Sequence, residues 1–188
     1  MADISDVVTF FIDYSQKTGD EITNMRLNKL LYFACGIHLL RTKEALFQEP
    51  IEAWDYGPVI PDVYHLYKKF QAAPIHANQP ETDRTRFSDQ EYESLIETAR
   101  IYGKYVTSKL VSISHRKCGA WDISFNGNYR VIPNHLIAEE FKNHGLNQEP
   151  DPTLYDRITS GMAYTDTGVP IFPHEDDDDD NWPEYDEI

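Results

Sequence analysis

The chain has 188 residues, 40% of them hydrophobic and 13% aromatic, enough for one domain with a real core and too much for a wholly disordered chain. Its formal net charge of −15 is unevenly spread: residues 175–188 hold nine of the 32 acids and no base, leaving 23 acids against 17 Lys and Arg elsewhere. That balance excludes the long basic stripe of a direct nucleic-acid binder and suits a partner protein with a basic surface.

Two cysteines, Cys35 and Cys118, exclude a disulfide framework and a paired-cysteine metal motif. The N-terminal MADISDVVTFF has no basic leader and runs straight into an amphipathic pattern, which is not a signal peptide. No apolar run approaches the ~20 residues that span a bilayer. These features place the protein in the cytoplasm, away from membranes, with reduced thiols.

In chain order, Ile4, Val7, Val8, Phe11 and Tyr14 share one face of a helix over 4–17, stopped by Gly19. Thr23 caps a second helix to about Arg41 that is apolar over most of its circumference, the pattern of a central bundle helix. Residues 46–56 read as extended, with room for a short strand, and Gly57-Pro58 breaks the pattern by an extended entry before the proline. Pro61 opens a third helix with Val63, Leu66, Tyr67 and Phe70 inward. After a polar loop over 72–87, Ser88 and Glu91 form a capping box. The fourth helix it starts turns Tyr92, Leu95, Ile96, Ala99 and Tyr102 inward and ends at Gly103. Thr107 or Ser108 caps a short fifth helix carrying Leu110, Val111 and Ser114. Pro133 opens a last helix, with Leu136, Ile137 and Phe141 inward and Gly145 as its stop. Beyond about 148, prolines and glycines punctuate a segment poor in aliphatics, in which 154–158 suit a turn or two of helix.

Two blocks of this pattern resemble the Panacea domain, a module of antitoxins from bacterial and phage toxin–antitoxin pairs. The first comprises Leu27, Lys29, Leu30 and Tyr32, then Ala53-Trp54, Tyr56, Gly57-Pro58-Val59, Pro61 and Tyr64. The second comprises Leu110, Ser114-His115 and Trp121, then 132–141. The resemblance spans about 20 to 142. It implies an antitoxin that silences a cognate toxin by direct binding, with no cofactor and no catalysis. Toxins paired with the family include small alarmone-synthetase-like enzymes acting on nucleotides or tRNA. Related proteins also act as adaptors that deliver a partner to a protease, the alternative function. One departure stands out. Family members tend to place an acid and a proline between the His and the Trp, where this chain has Arg116, Lys117, Cys118, Gly119 and Ala120.

The expected architecture is therefore mainly α: a single compact domain of six to seven helices over 1–147, with at most a short β-hairpin. An acidic C-terminal extension follows over 148–188. Lys29, Tyr32, Trp54, Tyr56, Gly57, Pro58, Val59, Pro61, Tyr64, His115 and Trp121 are the signature residues of the scaffold. Two readings of the Trp54–Tyr64 turn stand side by side, a ledge for a partner and aromatic packing under the second helix. His115 and Cys118 lie close in sequence, but His-x-x-Cys is not a catalytic signature and brings no orienting third group. The seven histidines are scattered, without metal-ligand spacing. Candidate toxin-binding residues lie in the tail: Phe172, Asp176, Asp177, Asp178, Asp179, Asp180, Trp182 and Tyr185. Aromatics set among carboxylates suit a basic, partly apolar groove, and the carboxylates suit a site built for phosphates. A solubilising tail is the competing reading.

Overall fold

Seven α-helices and two antiparallel strand pairs make up the described part of the computed structural model, which covers residues 1–75 and 81–144 and the backbone of 163–164 and 170–171. The order is α1 (Ile4–Thr18), α2 (Asn24–Thr42), β1 (Glu52–Trp54), β2 (Gly57–Val59), α3 (Pro61–Tyr67), α4 (Asp89–Tyr102), α5 (Thr107–Ser114), α6 (Ala120–Asn126) and α7 (Asn134–His144). Strands β3 (Ala163–Tyr164) and β4 (Pro170–Ile171) pair with each other.

α2 is the axis of the bundle. Its residues from Leu27 to Leu39 are all buried, and α1, α3, α4, α5, α7 and β2 pack around it. The helix begins where Thr23 accepts the Arg26 amide and ends on Lys43 in the left-handed region, with φ +67°. Phe33 stacks on Tyr102 of α4 at 4.1 Å between ring centroids, and Tyr32 meets Phe141 of α7 edge-on at 6.2 Å. Gly36 lets α7 come close, since a Cβ there would lie 2.2 Å from the Phe141 ring. On the α4 side, the His38 Nδ1 and the Ser94 hydroxyl are 3.1 Å apart inside the core. The Cys35 thiol, buried in this helix, is pushed up to about 12 by loss of solvent.

The capping box at Ser88 forms as the residue pattern predicts, with both reciprocal bonds present. Other expectations need correcting. Leu66 is 64% exposed, because α3 is buried on the line through Val63 and Tyr67 and Leu66 sits roughly 80° off it. Ile96 is 44% exposed, on the far side of α4 from Thr98 and Tyr102. α5 starts one residue early, on Val106, with no side-chain cap: Thr107 is already its first helical residue. α6 had no predicted counterpart; its seven residues lie between His115 and Pro133, where the residue pattern assigned no element. Gly57 takes φ +100° rather than the extended entry expected before proline. β3 and β4 are a second strand pair, in the extension read as tail. Gly145 and 154–158 lie outside the described residues. No helix among the described residues is long and apolar enough to cross a membrane.

Gly36→Ala isolates the closest helix contact. Alanine favours helix by ~1 kcal/mol, whereas overpacking a core ring costs about 1–3 kcal/mol. The variant is expected to unfold at lower urea concentration with an unchanged m-value.

Candidate functional site: an interlocked hairpin

Most of the signature residues converge where the β1–β2 hairpin lies against α2, α5 and α6. The hairpin pairs Glu52 with Val59, Ala53 with Pro58 and Trp54 with Gly57. Asp55 and Tyr56 turn the chain without positive φ, and Gly57 closes the turn at φ +100°, a conformation open to glycine at little cost. Residues 130–132 extend the sheet on the β1 side, through Ala53 N–H to the Arg130 carbonyl and Ile132 N–H to the Ile51 carbonyl, both 2.8 Å.

Each wall of the hairpin is held by a specific polar bond. From α2, the fully buried Lys29 ammonium donates to the Pro58 carbonyl at 3.0 Å. From α6, the Trp121 indole N–H donates to the Trp54 carbonyl at 2.8 Å. From the end of α5, His115 packs on Trp121 with the rings tilted by 49° and their centroids 3.8 Å apart, and sets Nε2 3.2 Å from the Asp55 carbonyl. Its Nδ1 lies 2.8 Å from the Val111 carbonyl. Carbonyls only accept, so the shorter contact places the proton of neutral His115 on Nδ1. Gly57 sits at the centre: a Cβ there would come within 2.9 Å of Lys29 Nζ, His115 Cε1 and Ser114 Oγ alike.

Trp54, 6% exposed, bonds its own indole N–H to Glu52 at 2.8 Å, and Arg130 joins the same carboxylate oxygen at 3.0 Å. Tyr64 meets the Trp54 ring edge-on at 4.9 Å. Val59 is buried, Tyr56 and Pro61 are half-buried, and Pro61 opens α3 at its first position. Tyr32 stands apart from the hairpin. Its hydroxyl donates to Glu140 Oε2 at 2.8 Å, and the same oxygen accepts the Ala120 amide at 2.7 Å, so Glu140 fastens the start of α6 to α2. Burial raises the Glu140 carboxyl above the usual range, and its Oε1 has no hydrogen-bond partner among the described residues. The candidates in the tail, Phe172, Asp176 to Asp180, Trp182 and Tyr185, lie outside the described residues.

Residue types alone did not single out Asn24, Asn28, Glu52, Arg130 or Glu140. Asn28 accepts the Ile60 amide at 2.9 Å and Asn24 donates to the Tyr64 carbonyl at 3.0 Å, so two α2 amides hold the start and the middle of α3. A signal existed, since both amides interrupt an otherwise apolar helix at i, i+4 spacing and a buried amide needs partners. Glu140 likewise occupies the inward stripe between Ile137 and Phe141.

The Cys118–His115 pair has no nucleophile geometry. Both His115 nitrogens face backbone carbonyls, and the Cys118 amide is tied to Asp122 at 2.7 Å, with its side chain exposed. Among the described residues, no group of three or more His, Cys, Asp or Glu side chains is placed to hold a metal ion.

A family model described as "Antitoxin SocA-like, Panacea domain" matches residues 27–122, the span from the first turn of α2 to α6 that builds this interlock. The antitoxin SocA of Caulobacter vibrioides (strain NA1000 / CB15N) is 31% identical over 137 residues, covering 64% of this chain and 69% of that protein. No solved structure matches the chain. The chain belongs to the SocA-like, Panacea-domain antitoxin family.

Two outcomes test the interlock. Burial and the nearby Lys29 charge push the His115 imidazole down to about 4, from an ordinary 6.5. The unfolded chain therefore takes up this proton at a pH where the folded chain does not. The stabilisation is complete above pH 6.5 and is lost as pH falls from 6.5 to about 4. At about 1.4 kcal/mol per unit, His115→Gln should remove about 2–3 kcal/mol of acid destabilisation between neutral pH and pH ~4.5, read from urea melts at each pH. His38 and His144 are lowered in the same direction and remain in both proteins. Gly57→Ala forces a side chain into positive φ against three polar neighbours and should cost about 1–3 kcal/mol or more, seen as a lower Tm.

Proposed function

We propose that this protein is a non-catalytic cytoplasmic antitoxin that neutralises a cognate toxin by direct protein–protein contact. Membership of the SocA-like antitoxin family is the observation that carries this reading. The interlock adds physical support: the signature side chains spend their polar groups on backbone carbonyls and on one another, which is what a rigid platform requires.

In this reading the toxin has a basic surface and handles nucleotides or RNA. Phe172, Trp182 and Tyr185 anchor in its groove while Asp176 to Asp180 take positions meant for phosphate. The residues around the hairpin hold the platform and touch no substrate.

Co-expression with the product of the adjacent gene tests this directly. The neighbour alone should arrest growth, this protein should restore it, and the two should co-purify. Rescue accompanied by disappearance of the neighbour's protein would point instead to delivery to a protease. A neighbour without toxicity would remove the pairing. Truncation after Phe172 should weaken the complex, and the intact complex should loosen as salt rises, because exposed charges are screened beyond about 8 Å at physiological ionic strength. Cys118→Ser should rescue growth as well as the native protein.

A further inference from the structure

The body of this acidic protein carries stretches of opposite sign, at 22–43 and, more strongly, from Arg100 onward. From Arg100 to Trp121 there are five bases, Arg100, Lys104, Lys109, Arg116 and Lys117, and no acid. The fold brings Lys104 and Lys109 together and sets Arg116 near the same pair of tyrosines. Lys104 and Lys109 both lie over the Tyr105 ring, at 5.1 and 4.4 Å from its centroid. Tyr105 packs on Tyr102 at 6.5 Å, and the Arg116 charge acts on Tyr102, on Glu140 and on His144 at the end of α7. Lys117 follows Arg116, and Lys142 stands two residues before His144. The nearby acids are turned to other work. Asp122 accepts from the Cys118 amide and from Asn126, and Glu140 is buried on Tyr32 and Ala120. Beside Tyr105, Val106 is 56% exposed and gives the face an apolar spot.

We propose that this basic face is the docking site of the chain's own acidic C-terminal segment, residues 172–188. Charge complementarity is direct, nine carboxylates without a base against Lys104, Lys109, Arg116, Lys117 and Lys142. The aromatic content matches too, since Phe172, Trp182 and Tyr185 are spaced among the acids as Tyr105 and Val106 are among the bases. The described body ends at His144, beside Arg116. The 30 residues from 145 to 174 supply ample chain length to reach the face, up to about 100 Å at full extension. Attachment in one chain raises the local concentration of the segment to about the millimolar range, so individually weak surface ion pairs suffice. The contact does not depend on the toxin reading. If both hold, a toxin competes with this face for the same carboxylates.

The test uses the full chain and contains no toxin. A nitroxide attached to the exposed Cys118 sits on the basic face, while the buried Cys35 is spared. In the ¹⁵N-labelled protein, amides from Asp176 to Tyr185 should lose signal severalfold when the label is oxidised in low salt. The loss should vanish at about 0.5 M NaCl, where the Debye length is only about 4 Å. It should also vanish in K109E, and in D176N/D177N/D178N/D179N/D180N, which leaves the helical body unchanged. Undisturbed tail signals in low salt would overturn the proposal. So would a loss that disappears on dilution, which means contact between copies, or one indifferent to salt and to both variants.

Discussion

Burying residues 27–39 of α2 on every side leaves the helix's buried polar side chains no partner except whatever covers them. In α2 that constraint assigns each covering element its own key. Asn24 and Asn28 hold α3, Lys29 holds the hairpin, Tyr32 holds α7 and the start of α6 through Glu140, and His38 faces Ser94 of α4. Apolar packing supplies most of the stabilisation, but it is tolerant of sliding. The polar contacts are not: a shift of one residue would strand a buried donor at a cost of about 1–3 kcal/mol. The arrangement is set by packing and made unique by these bonds.

The helices were legible because α1, α4 and α7 bury clear stripes and α2 is long and apolar over most of its circumference. So were the Thr23 cap and the Ser88 capping box, which depend only on neighbours in sequence. α6 was not legible. It has seven residues and buries only Ala120, Trp121 and Ser124, and its start is secured by a carboxylate 20 residues further on. Leu66 and Ile96 misled for a related reason, since periodicity names apolar residues but not which side of a half-covered helix receives a neighbour. At the site, family likeness marked Gly57, His115 and Trp121 without saying why they belong together. The reason is contact between residues 60 and 67 positions apart, which no local pattern encodes.

The departure from the family pattern between His115 and Trp121 now has a structural context. Arg116 and Lys117 stand where members tend to carry an acid and a proline, and with Arg100, Lys104 and Lys109 they give 100–121 five bases and no acid. The Cys118 backbone takes φ +60°, and the amide bond to Asp122 holds the loop as it leads into α6. A net charge summed over the whole chain hides this separation of sign.

The bond between Tyr32 and Glu140 joins residues 108 positions apart. During synthesis at about 5–20 residues per second, α2 is made roughly 5–20 s before the carboxylate that completes its covering. For that interval the central helix of the bundle has no finished coat. Its exposure to proteases and chaperones is then timed by the ribosome, and slow codons ahead of α7 would lengthen it without changing one residue of the folded protein.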